Sequence, residues 1–411
     1  MPSQSVIMFL KHSPVLSGTA NLLPASKSIA NRALIINALA GNKATIENLS
    51  DANDTQLMLN RISSDEKIID VEDAGTTMRF LTAYFTATNK PKTLTGTARM
   101  KERPIGILVD ALRSLGAEID YVENEGFPPI AIRQFNDQRT RTLSIRGDVS
   151  SQYISALMMI APTLPKGLEL TLTGRIGSRP YIEMTGAIMK HFGASVSFEG
   201  DKIDIPSQSY KGAQFFVESD WSAASYWFAL VALAREARIS LPKLSIPSIQ
   251  GDSAIQKIMT SLGVTAELKE GMLHLRKSDV VSELKFDFTD CPDLAQTVAV
   301  VCAAKGVNGF FTGLESLRIK ETDRIAALQT ELRKLGADLI EDDPAHWRVI
   351  PSVKLPDAAT ISTYKDHRMA MAFAPLATLM NVTIENPAVV RKSYPNYWND
   401  LRSCGVAVEE S

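Results

Sequence analysis

Hydroxyl and cationic side chains stand at the start of a strongly apolar segment near the N-terminus of the chain. Lys27 and Ser28 open the segment SKSIANRALIINALA, and Arg32 follows Ser28 by four residues, which places both on one helix face. The N-terminus of a helix presents unpaired N–H groups and the positive end of the helix dipole. One hydroxyl and two cations there predict a site for a phosphate or carboxylate group. The alternative for this segment alone is a serine cap beside solvated basic residues.

Two further apolar segments open with small or neutral hydrogen-bonding residues. Gly75 comes directly before the two threonines of GTTMRFLTAYFTA, and a glycine there lets the backbone approach a ligand closely. Ser150, Ser151 and Gln152 precede the apolar run YISALMMIAP and offer three neutral groups in a row. Each start predicts hydrogen bonds to an anion, and for each the alternative is a helix cap without a ligand.

Basic loops lie between these segments. RMKERPI contains Arg103 and further cations, and RIGSRPYIE contains Ser178 and Tyr181 beside its arginines. A charge run is commonly a solvated face, and this interpretation stays open for either loop taken alone. Because the loops flank the helix starts in sequence, they also predict local positive charge around a bound anion.

The second half of the chain mixes carboxylates with cations at similar positions. The residues concerned are Asp293 in CPDLAQ, Lys320, Glu321 and Arg324 in RIKETDR, Arg368 in DHRMAM and Lys392 in RKSYPNYW. Such a mixture suits a doubly charged ligand held beside a proton donor or acceptor. Plain surface ion pairs are the alternative.

The elements that would position these residues repeat along the chain. A glycine between an apolar residue or Cys and a small residue recurs at intervals of 69–77 residues, at Gly116, Gly193, Gly263, Gly336 and Gly405. Such a glycine suits the left-handed position after a helix, and alternating segments such as AEIDYVE and ASVSFEG predict a strand next.

Six almost wholly apolar segments alternate with that series, and a helix that is apolar all round belongs in an interior. They begin SKSIANR, GTTMRFL, SSQYISA, SDWSAAS, CPDLAQT and DHRMAMA, with the first two closer together than the rest. We predict an α/β (α+β) protein of six units of about 70 residues, the first of them trimmed, with NLSDANDTQLMLNRISS as its outer helix. Three units per domain give two similar domains whose buried helices lie inside a shell of short sheets.

Composition narrows the class of function. The 44 Lys and Arg against 46 Asp and Glu leave a net charge of -2, which offers no basic field for nucleic acid. The sequence has no apolar run of 18 residues and no basic leader before the short run VIMFL, so we expect a cytoplasmic protein without a membrane partner. Three cysteines without paired spacing and five scattered histidines predict neither disulfides nor a metal site.

The motifs together resemble those of the enolpyruvyl transferases, and among them the enzymes that act on shikimate 3-phosphate. The resemblance rests on SKSIANR, AGTTMR, RMKERPIG, SSQY, SRPYIE, PDLAQ, IKETDR, DHRMAM and the loop around Lys392, in that order over nearly the whole chain. It implies the inside-out α/β barrel of this family, with two domains of three βαβαββ units each. The implied domains are residues 1–23 with 219–411 and residues 24–218, with the active site in the cleft between them.

The resemblance also implies a reaction of the shikimate pathway, which leads to chorismate and the aromatic amino acids. The enolpyruvyl (carboxyvinyl) group of phosphoenolpyruvate would pass to the 5-hydroxyl of shikimate 3-phosphate, with loss of phosphate from a tetrahedral intermediate. The implied catalytic residues are Asp293, Glu321 and Lys27, and we expect the two carboxylates to carry protons rather than pair with cations. The implied shikimate 3-phosphate contacts are Lys27, Ser28, Arg32, Ser150, Ser151, Gln152, Ser178, Tyr181, Asp293, Ser316 and Lys320. The implied phosphoenolpyruvate contacts are Lys27, Gly75, Arg103, Gln152, Arg324, Arg368 and Lys392.

Further expectations follow from the same resemblance: no cofactor, a monomer, domain closure on ligand binding, and glyphosate as an inhibitor at the phosphoenolpyruvate site. Asn53, Asp73, Phe80 and Ser316 depart from the family's usual residues. Two alternatives stay open. An enolpyruvyl transferase acting on UDP-N-acetylglucosamine would usually have a cysteine in the loop written here as RMKERPI. A non-catalytic anion-binding protein on the same scaffold would have no use for the two carboxylates.

Overall fold

The computed structural model describes residues 6–148 and 150–411, and these residues form two compact units. The discontinuous unit contains the described residues up to Ala25 together with Glu218–Ser411, and the continuous unit contains the described residues of Ser26–Val217. The limits of the units lie beside the expected crossings at residues 23 and 219. That each unit is an independent domain stays a prediction.

Strands and helices alternate throughout both units. The strands are β1 Ile7–Leu10, β2 Val15–Thr19, β3 Thr45–Glu47, β4 Ile68–Asp70, β5 Lys92–Thr95, β6 Glu118–Tyr121, β7 Ile130–Gln134, β8 Thr142–Arg146, β9 Leu168–Thr173, β10 Ser197–Glu199, β11 Lys202–Ile205, β12 Gln214–Phe216, β13 Glu236–Pro242, β14 Leu262–Lys269, β15 Met272–Val280, β16 Glu283–Asp287, β17 Asn308–Thr312, β18 Asp338–Asp343, β19 His346–Ile350, β20 Ala358–Ile361, β21 Asn381–Glu385 and β22 Val408–Glu410. The α-helices are α1 Lys27–Leu39, α2 Asn53–Ile62, α3 Gly75–Ala87, α4 Ala98–Lys101, α5 Gly106–Leu115, α6 Ser151–Ile160, α7 Arg179–His191, α8 Trp221–Leu233, α9 Ile255–Ser261, α10 Ala295–Lys305, α11 Arg324–Lys334, α12 His367–Phe373 and α13 Tyr397–Ser403.

In the part of the chain that the structure describes, five four-stranded sheets share one topology. In the order β4-β5-β7-β6, a parallel pair is extended by two antiparallel strands. The same pattern gives β8-β9-β11-β10 in the continuous unit. It gives β2-β13-β15-β14, β16-β17-β19-β18 and β20-β21-β1-β22 in the discontinuous unit. A further sheet in the continuous unit has only the parallel pair, β3 with β12. The prediction of six units, the first of them trimmed, is confirmed.

The six apolar segments form the buried helices. Helices α1, α3 and α6 lie in the continuous unit, and α8, α10 and α12 lie in the discontinuous unit. In α8 every residue from Trp221 to Leu233 except Ser222 is buried. A helix without a polar face is stable only where neighbours cover it on all sides, and α8 packs against α9, α10 and β13. Polar residues also occur inside these helices: the Thr82 hydroxyl in α3 donates a hydrogen bond to the Met78 carbonyl at 2.7 Å.

The repeated glycines end the outer helices as expected. Gly116 follows α5 with a φ of 117°, and Gly336 follows the end of α11 with a φ of 74°. Residues with a side chain rarely adopt these angles. The remaining three repeat glycines also have positive φ. One sequence interpretation needs correction: part of the basic loop RMKERPI is the short helix α4, because the Thr97 hydroxyl accepts a hydrogen bond from the Met100 N–H at 3.4 Å.

Within the described ranges, none of the helices is long and apolar enough to pass through a lipid bilayer.

Candidate functional site: an anion-binding surface and an arginine–carboxylate cluster

The start of α1 buries an arginine among neutral groups. Ser26 caps the helix by accepting a hydrogen bond from the Ile29 N–H at 3.4 Å. One turn further along, Arg32 is 2% exposed and donates from Nη1 to the carbonyl of Ser28 at 2.8 Å. This contact confirms that Ser28 and Arg32 share a helix face, as their spacing predicted.

Side chains of two other helices complete the surroundings of Arg32. Its Nε donates to Thr185 Oγ1 of α7 at 2.7 Å, and its Nη2 donates to Ser155 Oγ of α6 at 3.0 Å. The guanidinium carbon lies 5.3 Å from the ring centroid of Phe80 and 5.9 Å from that of Tyr181. Burial lowers the pKa of Arg32 to about 10, with a smaller opposing effect of Tyr181, so the side chain stays charged at neutral pH.

Gly75 is the first residue of α3 and lies against two arginines. A Cβ atom added to Gly75 would come within 2.6 Å of Arg79 Nη1 and within 2.8 Å of both terminal nitrogens of Arg103. Arg79 is buried and donates to the carbonyls of Gly75 at 3.1 Å and Pro104 at 3.0 Å. The structure therefore brings the predicted site residues Gly75 and Arg103 together, and the absence of a side chain on Gly75 leaves room for both guanidinium groups.

The start of α6 lies beside the start of α3. Ser150 caps α6 by accepting a hydrogen bond from the Gln152 N–H at 3.3 Å. The Gln152 amide donates to Thr76 Oγ1 at 3.1 Å, which joins the two helix starts. The loop before α7 meets the loop before α6 through the hydrogen bond from Gly177 N–H to the Gly147 carbonyl at 3.0 Å.

Three other predicted contacts of the continuous unit lie near these helix starts. Ser178 precedes α7 in a left-handed conformation with a φ of 55°, and it is half-buried. Ser151 is the first residue of α6 and is buried. Tyr181, in the first turn of α7, faces Arg32.

Lys27 pairs with a carboxylate that the sequence motifs do not indicate. Its Nζ lies 3.0 Å from Asp54 Oδ2 on α2, and both side chains are largely buried. Asp54 follows Asn53, the first residue of α2. No local pattern identifies Asp54 as the partner of Lys27, because the two residues lie on different helices 27 residues apart.

In the discontinuous unit, one buried guanidinium holds three carboxylates. Arg324 begins α11 and donates from Nη1 to Asp293 Oδ1 at 2.9 Å and from Nη2 to Glu321 Oε2 at 2.8 Å. Its Nε donates to Asp366 Oδ2 at 2.7 Å. Burial alone would lower the pKa of Arg324, but the three carboxylates raise it above the ordinary value.

Further cations surround Asp293 and Glu321. Arg368 Nη2 donates to Asp293 Oδ2 at 2.8 Å, and Lys320 Nζ lies 3.7 Å from Asp293 Oδ1. Lys392 Nζ lies 3.7 Å from Glu321 Oε1. Burial would raise the pKa of Asp293, but Arg368, Lys320 and Arg324 together lower it well below its usual range. We call Asp293, Lys320, Glu321, Arg324, Asp366, Arg368 and Lys392 the arginine–carboxylate cluster.

The cluster corrects one expectation. Asp293 and Glu321 were expected to carry protons rather than pair with cations, yet the structure pairs both with Arg324. The physical reason is that a guanidinium as deeply buried as that of Arg324 needs opposite charge nearby. A proton role for either carboxylate stays a prediction.

Three buried residues of the discontinuous unit, one inside the cluster and two beside it, were not among the predicted site residues. Asp366 caps α12, accepting a hydrogen bond from the Arg368 N–H at 2.8 Å, and is fully buried. The Tyr226 hydroxyl accepts from Arg368 Nη1 at 3.4 Å, and burial raises the pKa of Tyr226 to about 12. Asp252 accepts from the Ser222 hydroxyl; burial, followed by the charge of Asp293, raises the pKa of Asp252 to about 6. The DHR motif was a sequence signal for Asp366 alone.

The four atypical positions have different surroundings. Asp73 accepts a hydrogen bond from the Thr97 hydroxyl. Phe80 contacts Arg32, and Asn53 begins α2. Ser316 is exposed in the 3-10 turn Glu315–Ile319 of the discontinuous unit, and its role as a phosphate contact stays a prediction.

Cations at helix starts in the continuous unit, and carboxylates held beside cations in the discontinuous unit, are typical of the class of proteins that act on small anions. Within the described residues no group of His, Cys, Asp and Glu side chains could hold a metal ion.

Comparisons with known proteins narrow this class. The model of the family described as EPSP synthase (3-phosphoshikimate 1-carboxyvinyltransferase) matches residues 11–64 and 59–401. A 3-phosphoshikimate 1-carboxyvinyltransferase of Bacteroides fragilis is 51% identical over 392 residues, which covers 94% of this chain and 95% of the relative. One from Vibrio cholerae is 38% identical over 416 residues, covering 94% and 96%. The structure of EPSP synthase from Acinetobacter baumannii matches with a TM-score of 0.79 at 20% identity, covering 99% of this chain and 100% of the other, and so supports the fold. The chain belongs to the EPSP synthase family.

Proposed function

We propose that the protein is an enzyme that transfers the enolpyruvyl group of phosphoenolpyruvate to the 5-hydroxyl of shikimate 3-phosphate and releases phosphate. Relatives named for this carboxyvinyl transfer cover 94% of the chain. The observation that carries the proposal is that Asp293 and Glu321 share the buried guanidinium of Arg324 in a chain of this family. Anion binding explains the cations of the cluster. The two carboxylates beside those cations are groups of the kind that accept and deliver protons in catalysis. The reaction belongs to the shikimate pathway, which leads to chorismate and the aromatic amino acids.

The first half of the reaction is an addition. The 5-oxygen of shikimate 3-phosphate bonds to C2 of phosphoenolpyruvate, the hydroxyl proton leaves, and C3 gains a proton to become a methyl group. We assign acceptance of the hydroxyl proton to Asp293 and delivery of the C3 proton to Glu321, with Lys27 as a nearby cation. Proton transfer by such groups contributes roughly 10²–10⁴-fold to the rate.

The second half of the reaction is an elimination from the tetrahedral intermediate. C3 loses a methyl proton, the bond between C2 and the phosphate oxygen breaks, and phosphate leaves with the electron pair of that bond. In this proposal Glu321 takes back the proton it delivered. Arg324, Arg368 and Lys392 stabilise the negative charge of the leaving phosphate or of the carboxylate of phosphoenolpyruvate.

We propose that binding of phosphoenolpyruvate also raises the low pKa of Asp293. A carboxylate whose pKa is lowered this far by Arg368, Lys320 and Arg324 is a weak base. A phosphoenolpyruvate anion bound to Arg324 and Arg368 adds opposing negative charge beside Asp293, which raises the pKa of this carboxylate. Binding of the second substrate would thus make Asp293 a stronger proton acceptor when it is needed.

The residues of the continuous unit are assigned to substrate binding. Ser28 and Arg32 would bind the carboxylate of shikimate 3-phosphate, and its ring would contact Arg32, Gln152 and Tyr181. Its phosphate would contact Ser150, Ser151, Ser178 and Lys320, and Ser316 is a further proposed contact. Gly75, Arg103 and Gln152 would contact phosphoenolpyruvate, together with Lys27. The close approach of the Gly75 backbone to Arg103 supports this assignment.

The test is release of inorganic phosphate by the purified protein with each substrate alone and with both. We expect release only with both substrates, and proton NMR should show an enolpyruvyl ether at the 5-oxygen of the product. Replacing shikimate 3-phosphate by UDP-N-acetylglucosamine should give no release. No turnover with shikimate 3-phosphate, or turnover with the nucleotide sugar, would contradict the proposal.

Four finer points stay predictions. A cytoplasmic location is tested by cell fractionation, and a monomeric state by light scattering of the purified protein. Closure on ligand binding is tested by small-angle scattering, where shikimate 3-phosphate should lower the radius of gyration. Glyphosate should compete with phosphoenolpyruvate, because it is a small zwitterionic anion.

A further inference from the structure

Two deeply buried arginines of this chain have opposite electrostatic surroundings. Arg324 is held by three carboxylates, which raise its pKa. Arg32 has no carboxylate within ion-pair distance among the residues of ranges 6–148 and 150–411. A buried charge normally requires a partner of opposite sign. Arg32 is therefore an exception that needs a reason.

The neutral surroundings of Arg32 are built from hydroxyls. Thr185 and Ser155 are both 0% exposed, and they accept hydrogen bonds from Nε and Nη2 of Arg32 at 2.7 and 3.0 Å. Thr185 in turn donates to Ser155 Oγ at 2.8 Å or to the Tyr181 carbonyl at 2.8 Å. The two hydroxyls thus form a connected pair that fixes the plane of the guanidinium.

The hydrogen bonds leave part of the guanidinium available. A guanidinium has five N–H groups. In the described part of the chain, Thr185, Ser155 and the Ser28 carbonyl accept from three different nitrogens of Arg32. One N–H therefore remains on each terminal nitrogen, and such a pair is what a carboxylate binds in a bidentate manner.

We infer that Ser155 and Thr185 are positioning residues that set the specificity for a carboxylate-bearing acceptor, by holding Arg32 in place without neutralising its charge. The inference rests on the proposed function, in which Arg32 binds the carboxylate of shikimate 3-phosphate. An aspartate at either position would also fix Arg32, but it would compete with the substrate for the guanidinium charge. Hydroxyls orient the guanidinium and leave its positive charge available to the ligand. The attraction between this charge and the ligand carboxylate is stronger in a buried, low-dielectric setting than in water.

The experiment compares Thr185→Asp with Thr185→Asn, two variants of nearly equal size of which only the first introduces a negative charge. Steady-state kinetics would give kcat and the KM of each substrate. We expect Thr185→Asp to raise the KM for shikimate 3-phosphate roughly 10- to 100-fold above that of Thr185→Asn, as expected for loss of one hydrogen-bonded charge interaction. The KM for phosphoenolpyruvate should change little in both variants.

A substrate analogue identifies the group that Arg32 recognises. The analogue is shikimate 3-phosphate with a carboxamide in place of the carboxylate. The unmodified protein and Thr185→Ser, which keeps the hydroxyl, should bind the carboxylate form much more tightly, whereas Thr185→Asp should bind the two forms about equally. Thr185→Val removes the hydroxyl with little change in volume, so it should also raise the KM for shikimate 3-phosphate, and Thr185→Ser should not.

The outcomes separate this inference from the proposed function. If the unmodified protein releases no phosphate with both substrates, the proposed function is wrong and the inference is lost with it. If the unmodified protein is active but Thr185→Asp and Thr185→Asn have the same KM and the same preference for the carboxylate, the inference alone is overturned. If Thr185→Asp does not fold, the comparison of Thr185→Val with Thr185→Ser decides, and equal KM values would overturn the inference.

Discussion

Replacing Gly75 by alanine tests the geometry of the proposed phosphoenolpyruvate site. The new Cβ atom would lie 2.6 Å from Arg79 Nη1 and 2.8 Å from both terminal nitrogens of Arg103, where ordinary contacts begin at 3.4 Å. Arg79 is buried and fixed by two carbonyls, at 3.1 and 3.0 Å. Arg103 is half-buried, and its hydrogen bond to the Asp73 carbonyl is long, at 3.5 Å. Arg103 is therefore the side chain that moves the more easily, by at least the difference between 2.8 and 3.4 Å.

The expected effect follows from that displacement. A guanidinium displaced by this much loses at least one hydrogen bond to a charged ligand group, which is worth about 1.5–3 kcal/mol. We therefore expect Gly75→Ala to raise the KM for phosphoenolpyruvate by roughly 10- to 150-fold, because about 1.4 kcal/mol corresponds to a factor of ten. The KM for shikimate 3-phosphate should change by less than about threefold.

Steady-state kinetics with each substrate varied in turn measures this effect. The matched control is Gly106→Ala, also at the first position of a helix, where the nearest atom to the new Cβ lies at an ordinary 3.4 Å. Arg103→Ala should raise the same KM. The double variant Gly75→Ala with Arg103→Ala should lose less than the sum of the two single losses, because only the contact of the new Cβ with Arg79 remains once Arg103 is removed. Equal increases in both KM values, or full additivity in the double variant, would refute the proposed link between Gly75 and Arg103.

Three other predictions concern the discontinuous unit. Asp293→Asn and Glu321→Gln should each lower kcat by roughly 10²–10⁴-fold while substrate affinity measured by calorimetry survives, and near-normal turnover would show that the proton roles are misassigned. Arg324→Ala leaves the buried Asp366 and the partly buried Asp293 and Glu321 without their shared partner, and it should cost roughly 3–5 kcal/mol in urea unfolding. Arg333→Ala, at an exposed ion pair, should cost less than about 1 kcal/mol. Burial raises the pKa of Asp252 from 3.8 to about 6, so its ionisation opposes folding. This cost is absent below about pH 4, grows as the pH rises and is complete above about pH 6. Asp252→Asn should therefore increase the free energy of unfolding by about 3 kcal/mol at pH 7.5 and by almost nothing at pH 4, and an equal change at both values would exclude this origin.

The repeated architecture could be predicted from the sequence because its signals are local. A helix such as α8 is apolar on every side within 13 consecutive residues, and Gly116 marks a helix end by its own conformational requirement. Helix starts such as that of α1 combine a cap with a cation one turn later, so Ser28 and Arg32 were placed on one face without knowledge of the fold.

The partners of the site residues could not be predicted in the same way. Arg32 contacts Ser155 and Thr185 across 123 and 153 residues of sequence, and nothing in a local pattern states which side chains of separate helices will meet. The ion pair of Lys27 and Asp54, which are 27 residues apart in sequence, could not be predicted for the same reason. Ion pairing of Asp293 was weighed only as a surface pair, because the need of a buried arginine for counter-charges appears only when its burial is known.

The pairing of the first strand has a consequence for the order in which the two units can form during synthesis. Among the described residues, strand β1 pairs with β21 and β22, so Ile7–Leu10 must wait until more than 370 further residues have been made. The described strands of the continuous unit pair within Ser26–Val217, so we expect this unit, as a predicted independent domain, to fold while the rest of the chain is still on the ribosome. Until β21 and β22 have been synthesised, the apolar side chains of Ile7–Leu10 stay exposed on the nascent chain. Contacts between segments this far apart in sequence form slowly, so we expect the discontinuous unit to complete its fold after the continuous one.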